Sequence, residues 1–245
     1  MKYNCITDRG TVRSENQDCV FITEVRSKSC LATVVCDGMG GVHGGKLASE
    51  LAISAYMAEL RRTLIACSDK KPNLSACMDA AYQAANSVVY GYSIANIENA
   101  GMGTTLVAAT IRGRTAEIIN IGDSRAYLIE RKSIRRITRD HSLVADMVER
   151  GEITEQEAEH HPQKNYITRA VGVDPEVRAD HYSIRLRMGS KLLLCSDGLS
   201  NALDENTLLK LCTESRKPDR ICRRLISSAL ERGASDNITA AVIQA

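Results

Sequence analysis

Acidic residues stand at the ends of four apolar stretches of this 245-residue chain. They are Asp37 after residues 34–36, Asp123 after 119–122, Asp197 after 193–196, and Asp236 just before 238–243. A single aspartate of this kind, next to glycine or asparagine, is typical of a turn. Four of them at strand ends could instead converge at one sheet edge, where oxygen-only ligands select hard cations such as Mg²⁺ and Mn²⁺. The spacing alone leaves both interpretations open.

Short apolar runs predict the strands that would position these residues. The runs cover residues 3–7, 19–25, 30–36, 104–111, 116–121, 125–130, 179–186, 190–196 and 237–243. Helical spacing predicts three helices instead, with stripes at Leu47, Leu51, Ala55 and Ala58; at Leu74, Cys77, Met78, Ala81, Ala85, Val88 and Tyr92; and at Ile221, Leu225, Ile226, Ala229 and Leu230. Because the central strands follow one another without helices between them, the order favours antiparallel sheet with helices packed outside, an α+β fold.

The polar segment at about residues 142–165 differs from its surroundings. Thr154 and Glu157 have the spacing of a capping box, which predicts a short helix there. A polar insertion between two strand regions commonly covers a site as a mobile flap. Asp140 and His141 are expected to fix the start of the flap helix.

Composition excludes several classes of protein. Hydrophobic residues make up 44% and the net charge is +2, which gives no reason to expect attraction to nucleic acid or membranes. No apolar stretch approaches the roughly 20 residues of a membrane-spanning helix, and the N-terminus lacks the apolar core of a signal peptide. Nine scattered cysteines without a Cys-x-x-Cys pair argue against zinc and a disulfide framework. We therefore expect a cytoplasmic protein with a single domain over residues 1–245.

The order of several short motifs is more specific than any one of them. The motifs are 13–18 (RSENQD), 37–41 (DGMGG), 101–105 (GMGTT), 122–125 (GDSR), 138–142 (TRDHS), 167–170 (ITRA), 196–198 (SDG) and 235–237 (SDN). In this order they resemble the signature of the bacterial type 2C, or PPM, protein phosphatases, from residue 5 to about 243. The resemblance implies a four-layer αββα sandwich, in which helices flank two central antiparallel sheets and the flap lies near the metal site. It also implies hydrolysis of phosphoserine and phosphothreonine in proteins by attack of a metal-bridging water or hydroxide.

The resemblance also assigns roles to individual residues. Asp37 is similar to the carboxylate that bridges two Mn²⁺ or Mg²⁺ ions, with the carbonyl of Gly38 as a further ligand. Asp197 and Asp236 resemble the other ligands of the tight pair, and Asp123 is similar to the residue that holds a third, weaker ion with Asp197. Arg13 corresponds to the guanidinium that grips the substrate phosphate, for which a planar two-pronged donor is suited.

Two positions depart from the family pattern. Gln17 stands where many members carry glutamate, so the site loses one negative charge. His43 lies one place later than the histidine of the commonest bacterial pattern, and we consider both a general acid and a solvated loop residue. Asp18, which could instead cap the turn after Asn16, is expected with Gln17 and Asn237 just outside the metal ligands.

Two other functions remain open from the sequence. One is a pseudophosphatase that binds without turnover, against which the intact set of Arg13, Asp37, Asp123, Asp197 and Asp236 argues. The other is a phosphatase of a small phosphorylated metabolite. The resemblance favours phosphorylated protein substrates, those of a bacterial serine/threonine kinase, and we expect a monomer that does not bind nucleic acid.

Overall fold

The computed structural model describes residues 1–25, 30–67, 72–95 and 97–245, without the side chains of residues 41–43. Its strands are β1 (Lys2–Asp8), β2 (Asp18–Val25), β3 (Cys30–Met39), β4 (Gly103–Thr104), β5 (Leu106–Arg112), β6 (Thr115–Ile121), β7 (Arg125–Ile129), β8 (Ile134–Arg136), β9 (Asp180–Arg185), β10 (Lys191–Cys195) and β11 (Ile238–Gln244). Its α-helices are α1 (Gly41–Ala66), α2 (Leu74–Ala95), α3 (Leu143–Glu149), α4 (Glu155–Glu159), α5 (Asp197–Ala202), α6 (Glu205–Thr213) and α7 (Pro218–Glu231). A short 3₁₀ turn covers Ile97–Asn99.

The strands form two antiparallel sheets. The first has the order β1-β11-β10-β7-β8, and the second has the order β2-β3-β5-β6-β9, with β4 paired to the end of β3. Each chain terminus contributes to the first sheet, because β1 pairs with β11 along its whole length. The predicted antiparallel arrangement is confirmed.

Three hydrophobic cores separate four layers. One core lies between the second sheet and the helix pair α1–α2, and another lies between the first sheet and α5–α7. The third fills the space between the two sheets. Strand β3 contributes to two of them, since Val34 packs toward the helices and Val35 toward the other sheet. A strand covered on both faces must be apolar throughout, which explains its continuous hydrophobic run. The αββα sandwich is therefore confirmed.

Several local predictions need correction. Strands β4 and β8 were not predicted because they are only two and three residues long. The C-terminal part of the chain has three helices, α5, α6 and α7, where one was predicted. Val88 and Tyr92 were placed on the buried stripe of α2, but they are 37% and 47% exposed, since that helix turns its Ala85–Val89 side toward the core.

The flap segment contains α3 and α4. The predicted capping box is present at α4, where Thr154 and Glu157 bond reciprocally. The start of α3 is capped by Ser142, so the expectation that Asp140 and His141 would fix it was wrong. Within the described ranges, no helix has the length and apolarity needed to cross a membrane.

Candidate metal centre

Asp37 lies near the end of β3 and is held there through its backbone. Its amide donates to Thr105 Oγ1 at 2.9 Å, and its carbonyl accepts from Thr104 Oγ1 and from the Thr105 amide, both at 2.9 Å. Asp18 on β2 is its direct partner across the ladder. The two threonines of the 101–105 motif thus fix the backbone of Asp37 at the sheet edge.

Gly38 is a point of close approach between β3 and α1. A Cβ atom at Gly38 would lie 1.9 Å from the carbonyl oxygen of Gly45 and 2.8 Å from that of Gln17. The Gly38 amide donates to the Gln17 carbonyl at 3.2 Å, which also accepts from Ser49 Oγ at 2.7 Å. Only glycine lets the first turns of α1 cross the strand directly beside Asp37.

A cluster of mutually repelling carboxylates surrounds Asp37. Burial, and then the charges of Asp18, Asp197, Asp123 and Asp236, raise the pKa of Asp37 well above its usual range. Burial and the Asp236 charge likewise raise the pKa of Asp197, whose carboxyl shares a hydrogen bond with that of Asp37. The five carboxyl groups therefore need protons or cations to coexist.

Arg13 is a cation beside this cluster. Its Nε and Nη2 donate to the two carboxylate oxygens of Asp236, each at 2.9 Å. The hydrogen bond and the charge of Asp236 raise the pKa of Arg13, and the charges of Asp37 and Asp197 add to this effect. The Arg13 side chain remains 58% exposed, so its guanidinium is accessible to a ligand from solvent.

Asn237 fastens the segment that carries Arg13. Its Oδ1 accepts from the Gln17 amide at 2.8 Å, and its Nδ2 donates to the carbonyls of Arg9 and Glu15 at 2.8 and 3.0 Å. These bonds tie both ends of the 9–17 segment to the start of β11. Asn237 and the backbone of Gln17 therefore hold residues 9–17, and with them Arg13, in place.

Asp18 is buried beneath the cluster. Its Oδ2 accepts from Ser196 Oγ and Thr239 Oγ1, both at 2.7 Å, whereas its Oδ1 is buried without a hydrogen-bond partner. Burial raises the pKa of Asp18 to about 7 although the two hydroxyl groups lower it. The Asp18 carboxylate therefore bonds to Ser196 and Thr239 and does not cap the turn after Asn16.

The donor set fits divalent metal. It consists of carboxylates and a backbone carbonyl, which hard cations such as Mg²⁺ and Mn²⁺ prefer. Positive charge at the centre would also relieve the repulsion among the carboxylates. Among the described residues, however, no group of three or more aspartates, glutamates, histidines or cysteines is placed so that it could hold a metal ion, so the carboxylates would have to move closer together around one.

The turn that carries Asp123 is held by His141, which the sequence analysis assigned to the start of the flap helix instead. Burial and the Asp197 and Asp140 charges raise the pKa of Asp123 to about 8. The preceding Gly122 donates its amide to His141 Nδ1 at 3.1 Å and accepts from the His141 amide at 3.0 Å. His141 thus positions the Asp123 turn.

The neighbouring Asp140 belongs to an arginine network. It forms hydrogen bonds of 2.8–3.1 Å with Arg125 and an ion pair with Arg136. Arg136 therefore helps Arg125 to neutralise the buried carboxylate of Asp140.

Sequence reasoning missed the hydroxyl groups that support the aspartates. They are Thr104, Thr105, Ser124, Ser196 and Thr239, and Thr105 Oγ1 and Ser124 Oγ also bond each other at 2.8 Å. Their proximity to the acidic motifs was the available signal. The side chain of His43 lies outside the described residues.

Comparisons with known proteins agree with this geometry. The sequence matches a family model described as protein phosphatase 2C over residues 9–238. It is 34% identical over 238 residues to the serine/threonine phosphatase stp of Listeria monocytogenes serotype 4b (strain F2365), covering 97% of this chain and 93% of that protein. It is 36% identical over 244 residues to the serine/threonine protein phosphatase PstP of Mycobacterium tuberculosis, covering 99% of this chain and 44% of that protein.

Solved structures are similar over nearly the whole fold. The S. agalactiae serine/threonine phosphatase has a TM-score of 0.90 at 32% identity, with 98% of each chain covered. The catalytic domain of PstP in complex with two manganese ions has a TM-score of 0.85 at 34% identity, covering 98% of this chain and 96% of that one.

Proposed function

The chain belongs to the protein phosphatase 2C family, also called PPM, and we propose that it hydrolyses phosphoserine and phosphothreonine in proteins with the help of divalent metal. One observation carries the proposal most directly. Buried carboxylates whose charges raise one another's pKa lie beside the exposed guanidinium of Arg13. Such a site combines a place for cations with a donor for a phosphate dianion.

The metal ligands we propose are Asp37, the carbonyl of Gly38, Asp197 and Asp236 for two tightly bound Mn²⁺ or Mg²⁺ ions. Asp123 with Asp197 would hold a third, weaker ion. Divalent ions held by these residues would supply a water of lowered pKa and positive charge to offset that of the phosphate. The manganese ions in the PstP structure support Mn²⁺ as one of the metals that the site accepts.

The residues of the chain contribute binding and orientation. Arg13 would pair with two phosphate oxygens through the same Nε and Nη2 atoms that contact Asp236, and so orient the phosphorus. Asn237 limits the entropy lost in this step, because it holds the Arg13 segment before substrate arrives. With Gln17 in place of glutamate, the site would carry one negative charge fewer and bind cations less tightly, but no direct metal ligand would be lost. We keep His43 as a proposed general acid.

We further propose that residues 1–245 form one catalytic domain, which acts as a cytoplasmic monomer on the targets of a bacterial serine/threonine kinase. A site that accepts phosphoproteins must admit a polypeptide, and the exposure of Arg13 supports this. The small-metabolite alternative would require an enclosed pocket around the same residues. The pseudophosphatase alternative predicts binding of phosphopeptides without turnover.

The test is hydrolysis of a phosphothreonine peptide and of an aryl phosphate with Mn²⁺, Mg²⁺ or EDTA. We expect turnover of the peptide with either metal and none in EDTA. Asp37→Asn should abolish it, while the control Asp79→Asn, at a partly exposed aspartate paired with His181, should not. Full turnover in EDTA would refute the metal dependence. Peptide binding without hydrolysis would favour the pseudophosphatase, and hydrolysis of small esters alone would favour the metabolite enzyme.

A further inference from the structure

Two apolar side chains meet beside the metal centre. Met39 is paired with Gly103 across β3 and β4. A Cβ atom at Gly103 would lie 2.8 Å from Val173 Cγ2 and 2.9 Å from Met39 Cε. The missing side chain at Gly103 therefore leaves room for Val173 and Met39 to come together above the strand.

This apolar pair lies on the same face of β3 as Asp37. Side chains two residues apart on a strand point to the same side, about 7 Å from each other. Asp37 and Met39 have this relation, and both retain partial exposure whereas Gly38 between them is buried. In an extended peptide, too, residues two positions apart lie about 7 Å from each other on the same side. With the phosphorylated residue at Asp37, a neighbouring side chain of the substrate would therefore reach Met39 and Val173.

The loop that carries Val173 is rigidly fastened. The buried Asn86 accepts from the Gly172 amide at 2.7 Å and donates to the carbonyls of Asp174 and Pro175 at 3.0 and 3.1 Å. These bonds hold the chain on both sides of Val173, which is nevertheless 43% exposed. An apolar side chain held in place at the surface is suited to recognition, because little entropy is lost when it is covered.

We propose that Met39, Gly103 and Val173 form an apolar subsite that binds a residue flanking the phosphorylated serine or threonine of the substrate. The inference rests on the proposed function and adds to it a preference for apolar over charged flanking residues. Its occupant is the substrate polypeptide, because the pair is continuous with the Asp37 edge of the centre where the phosphorylated residue would lie. Contact with a side chain the size of leucine would bury several tens of Å², enough for about a 3- to 10-fold effect.

The experiment measures kcat/KM with Mn²⁺ for phosphothreonine peptides in which one position at a time, from three before to three after, is Leu, Asp or Lys. For the wild type we expect one position where Asp or Lys lowers kcat/KM about 3- to 10-fold relative to Leu, mainly through KM. Val173→Lys should reverse the preference at that position in favour of Asp. Val173→Ala should weaken the preference for Leu without creating one for Asp.

Met188→Lys is the matched control, since Met188 is 84% exposed in the turn before β10 and should keep the wild-type profile. Calorimetry of Mn²⁺ should give the same affinity for all four proteins, which separates substrate selection from damage to the centre. A profile that Val173→Lys leaves unchanged would overturn the subsite. A wild-type dimer that Val173→Lys dissociates would also overturn it, since the occupant would be a second copy. Absence of metal-dependent turnover for every peptide would refute the proposed function itself.

Discussion

Replacing Arg13 by lysine separates phosphate binding from simple positive charge. Arg13 contacts Asp236 with two nitrogens at 2.9 Å, and we propose that the same two donors take the substrate phosphate. Lysine keeps the charge but loses the planar fork. A hydrogen bond to a charged group contributes about 1.5–3 kcal/mol, so the loss of one bond predicts a fall in kcat/KM of about 10- to 100-fold.

The same substitution should change metal affinity far less. The Arg13 and Asp236 side chains are 58% and 39% exposed, and exposed ion pairs contribute at most about 1 kcal/mol. Weakening this pair frees Asp236 slightly for a cation, so Mn²⁺ affinity should rise by no more than about fivefold. Kinetics at saturating Mn²⁺ and calorimetric titration measure the two effects independently.

Arg62→Lys is a control matched in geometry. Arg62 also makes a bidentate exposed pair, with Glu59 at 2.7 and 2.5 Å, about 30 Å along α1 from the centre. The kcat/KM of the Arg62→Lys variant should differ from that of the wild type by less than about twofold. An unchanged kcat/KM in Arg13→Lys would remove Arg13 from the site. A loss of Mn²⁺ affinity as large as the loss of activity would show that Arg13 acts through Asp236.

The remaining predictions concern the carboxylate cluster and the Val173 loop. Asp37→Asn should weaken Mn²⁺ binding at least about 10-fold by calorimetry yet raise the Tm of the metal-free protein, because it removes a repelling charge. Asp123→Asn should lower turnover while sparing the tight metal pair, and equal loss of metal affinity in both variants would contradict the assignment. In EDTA the Tm should fall as the pH rises from about 5 to 8 and level off above, because the native protein keeps protons on Asp18, whose pKa folding raises to about 7, and on Asp123, whose pKa it raises to about 8, after the unfolded chain has released them. Each proton contributes about 1.4 kcal/mol per pH unit, roughly 3–5 °C in Tm, and a Tm that is flat or rising would refute the shifts. Asn86→Ala should lower the Tm by about 5–10 °C in thermal unfolding, since it leaves the Gly172 amide and two carbonyls without a partner, whereas a change below about 2 °C would mean that water replaces them.

Local patterns were enough to predict most of the elements. The nine longer strands and the stripes of α1, α2 and α7 follow from hydrophobic periodicity, because a face that packs against a core must repeat with the element's own period. Strands of two or three residues, β4 and β8, and helices of six and nine residues, α5 and α6, carry too few positions for their pattern to be recognised. Val88 and Tyr92 were misplaced for a related reason, since the width of the buried stripe on α2 depends on which neighbours cover it.

The amino-acid sequence by itself determined the identity of the acidic residues and, through the order of the motifs, the family. Only the tertiary structure decided which residues contact these aspartates. Asp18 and Asp37 are 19 positions apart in the chain, and only the β2–β3 register makes them direct partners. Arg13 meets Asp236 across 223 positions, and Thr239 reaches Asp18 across 221. Such contacts have no periodic signal in the sequence, because they arise when separate strand ends are brought to one edge by the packing of two sheets.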